Sequence, residues 1–272
     1  MPPPLTELLS SARKVKRLNQ LELAERLGVS QRHVSFVESG RSRPSRELLL
    51  QWLDALQMPL EQRNSVFTSA GFAPPYPHRG LEDTALQLAQ EALTRLLSRH
   101  DPYPALLFDA SWNVLHFNRG GHWLATLLFP WAASVPVGQS FNMLDALIHP
   151  EGMAAAMTNL KDVGPTILAR LREETTFQPS LAAKVDAFEQ LLRAHWGGRR
   201  FTQVPQTNDR SPMLSTRFRT PLGELSFFSL YTTFGMPQDI TLSSLRLEYL
   251  FPADDTTRHV LEKQLNDCEK SP

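Results

Sequence analysis

Apolar residues recur at helical spacing through the first seventy positions, with a break at Pro44. They predict a run of short helices over residues 5–70. The stretch Gly71-Phe-Ala-Pro-Pro-Tyr-Pro-His-Arg-Gly80 interrupts the pattern. Its three prolines and two glycines make it a turn or semi-rigid connector, and the best boundary between domains. Beyond it, Leu86, Ala89, Leu93, Leu96 and Leu97 form one helical stripe over residues 84–99. Two short apolar runs, 105–109 and 112–117, separated by Ala110-Ser111, predict a hairpin. Asn118 is placed to cap a helix carrying Trp123, Leu124, Leu127 and Leu128, and residues 142–197 read mainly as helix. Residues 214–219, 224–233 and 244–251 alternate as strands, with a turn at Pro221-Leu-Gly223. An all-α region followed by a strand pair, helices and antiparallel strands predicts an all-α domain joined to an α+β domain. The expected division is residues 1–72, a linker at 73–83, a second domain at 84–254 and a polar tail at 255–272.

Composition narrows the classes. The chain has 272 residues, 42% of them apolar and 21% charged, as in a soluble globular protein. Lys and Arg number 28, as do Asp and Glu, so the net charge is zero and a uniformly basic coat is excluded. The balance is uneven: residues up to 80 hold eleven basic and seven acidic side chains, and the rest 17 and 21. Such an excess points to nucleic acid only if the charges share a face; ordinary solvated helices are the plainer reading. The single cysteine, Cys268, excludes a disulfide framework and a Cys-rich zinc module and fits a reducing compartment. The opening Met1-Pro-Pro-Pro-Leu5 has no basic or apolar leader character. No run of about 18 apolar residues occurs, so the expected address is the cytoplasm.

The segment from Gln20 to Glu38 carries the most information. Two helices joined by a three- to four-residue turn must cross steeply. Ala24 is small where one helix passes the other, and Gly28 supplies a left-handed backbone at the turn. Leu23, Leu27, Val29, Val34 and Val37 supply the shared core. Asn19 with Glu22 is a capping-box-like start, and Ser30 caps the second helix.

Leu18-Asn-Gln20, Leu23-Ala-Glu-Arg-Leu-Gly28, Glu38-Ser-Gly-Arg41 and Arg43-Pro-Ser45 resemble the XRE/Cro-type helix-turn-helix family over about residues 8–67. The resemblance implies five helices, the third in the DNA major groove. It implies phosphate contacts from Gln20, Arg41 and Arg43, and contacts from Gln31, Arg32 and Ser35 to bases or the adjacent backbone. Gln20 and Gln31 open helices, where backbone N–H groups favour a phosphate. The Arg32 guanidinium suits guanine O6 and N7 together. Phe36 replaces a polar residue common in the family; it touches a thymine methyl or packs locally. His33 reads as a phosphate contact or surface residue. Arg13 and Glu38 match positions that pair in the family, holding the first helix against the third. Family members bind as dimers on half-sites about one helical turn apart, so a homodimer on double-stranded DNA is implied.

Catalysis has little support in the second domain, and an enzyme is not expected. Gly138-Gln-Ser-Phe-Asn142 fails as a nucleophile elbow at its last position, and zinc-protease and Walker motifs are missing. Histidines 100, 116, 122, 149, 195 and 259 lack metal-ligand spacing, so no metal site is expected. Glu173-Glu174 reads as solvated helix surface and Cys268 as inert. The many large apolar residues read chiefly as core.

Pro104-Ala-Leu-Leu-Phe-Asp109, Trp112-Asn-Val-Leu-His-Phe-Asn118, Phe141-Asn-Met-Leu-Asp145 with His149-Pro-Glu-Gly152, and Thr220-Pro-Leu-Gly-Glu-Leu225 resemble the C-terminal domain of MmyB-type regulators over about residues 90–252. His116-Phe117-Asn118 departs from the family's usual Ala-Trp-Asn. The resemblance implies a PAS-like antiparallel sheet with helices over one face and a long apolar ligand, fatty acid foremost. No other cofactor is implied. A pocket for an acyl chain is a dry tunnel with a polar mouth, and each buried CH₂ contributes roughly 0.8 kcal/mol. Phe108, Leu115, Phe117, Trp123, Leu127, Phe227 and Tyr231 are the candidate lining residues. The expected function is a DNA-binding transcription regulator modulated by a small apolar ligand. The alternatives are a second domain that only dimerises or binds a protein partner, and an enzyme fused to a DNA reader.

Overall fold

The computed structural model describes residues 4–131, 141–175, 178–196 and 213–268, with side chains through 263 in the last segment. Gly138-Gln-Ser140 and the Cys268 side chain lie outside the described residues. The chain divides into two compact units. The first is Met1–Gly80 with Met236–Ser243, and the second is Leu81–Gly235 with Ser244–Pro272.

Five helices build most of the first unit: α1 (Leu5–Val15), α2 (Gln20–Leu27), α3 (Gln31–Glu38), α4 (Arg46–Ala55) and α5 (Leu60–Ser69). Their boundaries follow from capping. The Asn19 side chain accepts from the Glu22 N–H at 2.9 Å, and the Glu22 carboxylate accepts from the Asn19 N–H at 2.7 Å. Gly28 ends α2 at φ 65°, a backbone state costly for residues with a Cβ. Ser30 and Ser45 accept from the third N–H of α3 and α4. The apolar stripes close over a core of Leu9, Leu23, Leu27, Val34, Val37, Leu49, Trp52, Leu53, Val66 and Phe67.

Residues following α5 stay with this unit. Tyr76 exchanges backbone hydrogen bonds with the Asn64 amide, at 2.6 and 3.1 Å, and receives one from Arg63 on its hydroxyl. Ile240 N–H donates to Pro77 O at 2.9 Å, and Arg79 pairs with Asp239 at 2.9 Å. The prolines read in the sequence as a linker are thus held on both sides, because side chains of α5 and a distant segment satisfy their backbone groups.

The second unit begins with a 3-10 turn, Thr84–Leu86, and α6 (Gln87–His100). A hairpin of β1 (Ala105–Phe108) and β2 (Val114–Phe117) leads into α7 (Arg119–Leu128). Helices α8 (Met143–Ile148), α9 (Met153–Ala156), α10 (Leu160–Thr175) and α11 (Ala182–His195) follow. β3 (Thr216–Thr220) and β4 (Gly223–Thr232) form a second hairpin. α12 (Ile240–Ser244), most of which belongs to the first unit, precedes β5 (Arg246–Pro252) and α13 (Asp255–Cys268). The five strands form one antiparallel sheet in the order β2-β1-β5-β4-β3. This is the α+β arrangement expected from the sequence, a PAS-like antiparallel sheet with helices.

Asn118 joins helix to sheet. Its buried side-chain oxygen accepts from Gly121 N–H at 2.7 Å and from Ala105 N–H at 2.8 Å, and its amide donates to Tyr103 O. A Cβ on Gly121 would lie 2.7 Å from Ala105 O, so glycine lets α7 seat directly on β1. The segment read as a polar tail differs from that reading. It folds as α13 and packs on β4 and β5, with Leu261 and Thr257 fully buried. Two inward positions per few turns suffice to dock a helix that is otherwise charged.

Candidate DNA-binding surface and ligand cavity

The fold turns α3 so that Val34 and Val37 face the core while Gln31 and Arg32 are exposed. Ser35 and Phe36 are half-buried, and the following loop presents Arg41 and Arg43 to solvent. That loop is tied back by N–H donors of Arg41 and Ser42 to Phe36 O, at 2.9 and 3.1 Å. Two guanidinium groups lie over the Phe36 ring, Arg32 at 5.0 Å and Arg41 at 5.8 Å. Arg32 and Arg41 therefore meet at one ring, and Arg32 sits in the first turn of α3, where the helix dipole favours an anion.

Behind that surface, Arg13 on α1 grips Glu38 on α3 with two hydrogen bonds of 2.7 Å. Gln20 donates its side-chain amide to the same carboxylate at 2.9 Å. Burial works to raise the Glu38 pKa, but the bonds from Arg13 and Gln20 outweigh it and hold the carboxyl below its ordinary value. Gln20, expected to touch phosphate, thus has its amide nitrogen engaged inside the unit.

In the second unit, the sheet and the helices α7 to α10 enclose a cavity of about 280 Å³. One row of side chains crosses four strands in register: Phe117 opposite Leu106, Leu106 opposite Glu248, and Glu248 opposite Tyr231. All four line the cavity, with Phe218, Phe227, Ser229 and Leu250 beside them. The helices contribute Leu124, Leu128, Met143, Leu147, Met153, Ile167 and Arg170. The lining is mostly apolar, with its polar groups concentrated at Ser229, Tyr231, Glu248 and Arg170.

That polar end is ordered by a network. Glu248 accepts hydrogen bonds from Ser229 and Tyr231 hydroxyls, each at 2.6 Å. Burial pushes the Glu248 carboxyl above its ordinary pKa, opposed by those two bonds and by the charge of Arg170. Burial, then the nearby Glu248, pushes the Tyr231 hydroxyl well up. The Arg170 guanidinium lies 3.8 Å above the Tyr231 ring. Glu174, one turn along α10, pairs with Arg246 at 2.7 Å and Arg170 at 3.3 Å and accepts from the Trp112 indole N–H at 2.8 Å. Trp112 has φ 64°, a strained value for a residue with a side chain. Its ring stacks on Phe108 with centroids 4.8 Å apart.

Residues 89–263 match the family model described as the MmyB-like transcription regulator ligand binding domain, and residues 9–62 match the helix-turn-helix model. The chain belongs to the MmyB-like transcription regulators. It is a DNA-binding regulator with a ligand-binding domain. No curated protein matches it. A solved structure of an RNA-binding light-oxygen-voltage receptor aligns at 11% identity, covering 97% of this chain and 62% of that one, with a TM-score of 0.25. The chain thus spans under two thirds of that one. Among the described residues no helix is long and apolar enough to cross a membrane, and no cluster of three or more His, Cys, Asp or Glu is arranged to hold a metal.

The regulator's cavity gathers Phe117, Phe227 and Tyr231 of the seven residues nominated from sequence. The other four lie elsewhere. Phe108 is fully buried behind Trp112. Leu115 is exposed, because the β1–β2 register shifts beside Phe108 and turns it outward. Trp123 and Leu127 are half-buried and pack against the core outside the cavity, since the face of α7 that lines it is Gly121, Leu124 and Leu128. Glu174 is 14% exposed and paired, not solvated as its run of charge suggested. Arg170 and Glu248 went unnominated. The alternation of Arg246, Glu248 and Leu250 was the available signal, since it puts two charges on one face of a central strand.

Proposed function

We propose that this chain is a cytoplasmic, homodimeric, non-enzymatic transcription regulator whose DNA affinity is set by an acyl acid in the second unit. Gln31, Arg32 and Ser35 read bases or the adjacent backbone, with His33 and Phe36 at the edge of that surface. Arg41 and Arg43 hold phosphates, and Gln20 contributes through its place at the opening of α2. The observation that carries the ligand reading is an apolar cavity with a cationic, hydrogen-bonding end, the chemistry of a chain ending in a carboxylate. Coupling to DNA needs only different ligand affinities in two dimer arrangements; about 1.4 kcal/mol of difference changes operator affinity tenfold.

The test is fluorescence anisotropy of a promoter duplex titrated with the full chain, with and without dodecanoate, alongside native mass spectrometry of the purified protein. An acyl acid that co-purifies or shifts the DNA titration supports the reading. A chain that binds the duplex but neither retains nor responds to acyl acids instead has a second unit that serves dimerisation or a protein partner.

A further inference from the structure

We infer that Glu248 is a hydrogen-bond donor to the ligand, presenting a carboxyl proton on Oε2 to an acyl carboxylate whose other side faces the Arg170 guanidinium. This rests on the acyl-acid reading above and adds to it a protonation state and a specificity-determining residue.

The geometry divides the two oxygens of Glu248. Both hydroxyl donors, Ser229 Oγ and Tyr231 Oη, converge on Oε1 at 2.6 Å. Oε2 receives no hydrogen bond from the described residues, so it is the oxygen left to meet a ligand, and with both donors satisfied at Oε1 it is the one placed to carry a proton. The residue is 7% exposed and forms part of the cavity wall.

Burial favours the neutral form, and among the described residues no charged group bonds the carboxyl directly to offset it fully. From α10, Arg170 lies over the Tyr231 ring at the same end of the cavity and makes no direct bond to the carboxyl. On its own strand, Arg246 is drawn away to Glu174 at 2.7 Å. In register beside it on β1 stands Leu106, and beyond that Phe117 on β2. Among the described lining residues, Arg170, Tyr231 and Glu248 are the titratable ones. Burying a carboxylate without a bonded cation is strongly unfavourable, in keeping with the upward shift of this group. A ligand carboxylate beside it makes ionising Glu248 harder still, as for any two carboxyls that share a site. The bound state then holds one proton between two carboxyls and one negative charge against Arg170, so no net charge is buried. A neutral alcohol of the same length accepts the proton but brings no charge to Arg170, which then keeps its Glu174 partner.

The experiment is calorimetry of the full chain at neutral pH with dodecanoate and dodecanol, for wild type, Glu248→Gln and Glu248→Met. Gln keeps an acceptor for the two hydroxyls and a donor toward the ligand, so its affinity for dodecanoate is expected within about threefold of wild type. Met fills similar space without either group and is expected to lose about tenfold or more. Dodecanol is expected to bind wild type more weakly than dodecanoate. Independently of how the variants fold, the infrared spectrum of wild type is expected to show a neutral carboxyl band that Glu248→Gln lacks. Glu248→Met binding dodecanoate as wild type does, Glu248→Gln losing as much as Glu248→Met, or the absence of that band overturns the role of Glu248 alone. Failure of wild type to bind dodecanoate at all overturns the acyl-acid reading and this inference with it.

Discussion

Arg13 and Glu38 are joined by two parallel hydrogen bonds of 2.7 Å, although 25 residues separate them. The bond locks α1 to the helix that faces outward. Removing one member strands the other, which is 5% or 10% exposed. Arg13→Leu is therefore expected to lower the stability of the first unit by about 3 kcal/mol, read from hydrogen exchange of α1 and α3 amides.

The same pair sets an acid limit. Glu38 is held below its ordinary pKa, so its contribution is complete above the unfolded carboxylate value and is lost as pH falls through the folded one. Exchange protection of α3 should fall with acidification in wild type and change far less in Glu38→Gln. An identical acid response in both would assign it to other carboxylates.

Arg32 and Arg41 lie over one aromatic ring yet are expected to behave differently on DNA. Arg32→Ala should cost about 1–3 kcal/mol on the operator and much less on random duplex. Arg41→Ala or Arg43→Ala should weaken both alike and lower the salt slope by about one. Anisotropy titrations over a salt series separate these outcomes; equal losses for Arg32→Ala on both duplexes would remove it as a base reader.

Gly28 has open space around its Cβ position, so only its φ of 65° resists substitution. Gly28→Ala is expected to destabilise by about 1–2 kcal/mol, and Gly28→Asn by less, in thermal melts of the full chain.

Glu174 holds Arg170, Arg246 and Trp112 together at the edge of the cavity. Glu174→Ala should cost about 2–3 kcal/mol and shift the emission of Trp112, whose indole loses its acceptor. Unchanged emission would mean that this hydrogen bond does not persist in solution.

Local chemistry made the first unit readable. Asn19, Glu22, Gly28 and Ser30 act within four residues of the backbone groups they satisfy, so their roles follow from spacing. The sheet was readable for a similar reason, through alternation in β4 and β5. The cavity was less so. Choosing Leu124 and Leu128 over Trp123 and Leu127 requires the rotation of α7, which Gly121 and Asn118 set by contact with β1. Glu248 meets Tyr231 through a strand register that no local pattern records. Charged residues on amphipathic elements normally mark solvent, and here two of them line a cavity.

Tyr231 and Glu248 stand side by side on adjacent strands, yet the polypeptide joining them leaves the sheet, completes the helical unit with Met236–Ser243 and returns. Each unit is thus built from two stretches of chain, and no single cut separates them. A gene truncated after residue 80 would encode a reader lacking the Ile240 and Asp239 contacts to Pro77 and Arg79, while its counterpart would carry those residues with nothing to meet. Grafting the ligand-binding domain onto a foreign helix-turn-helix unit would have to deal with the Met236–Ser243 stretch inside it.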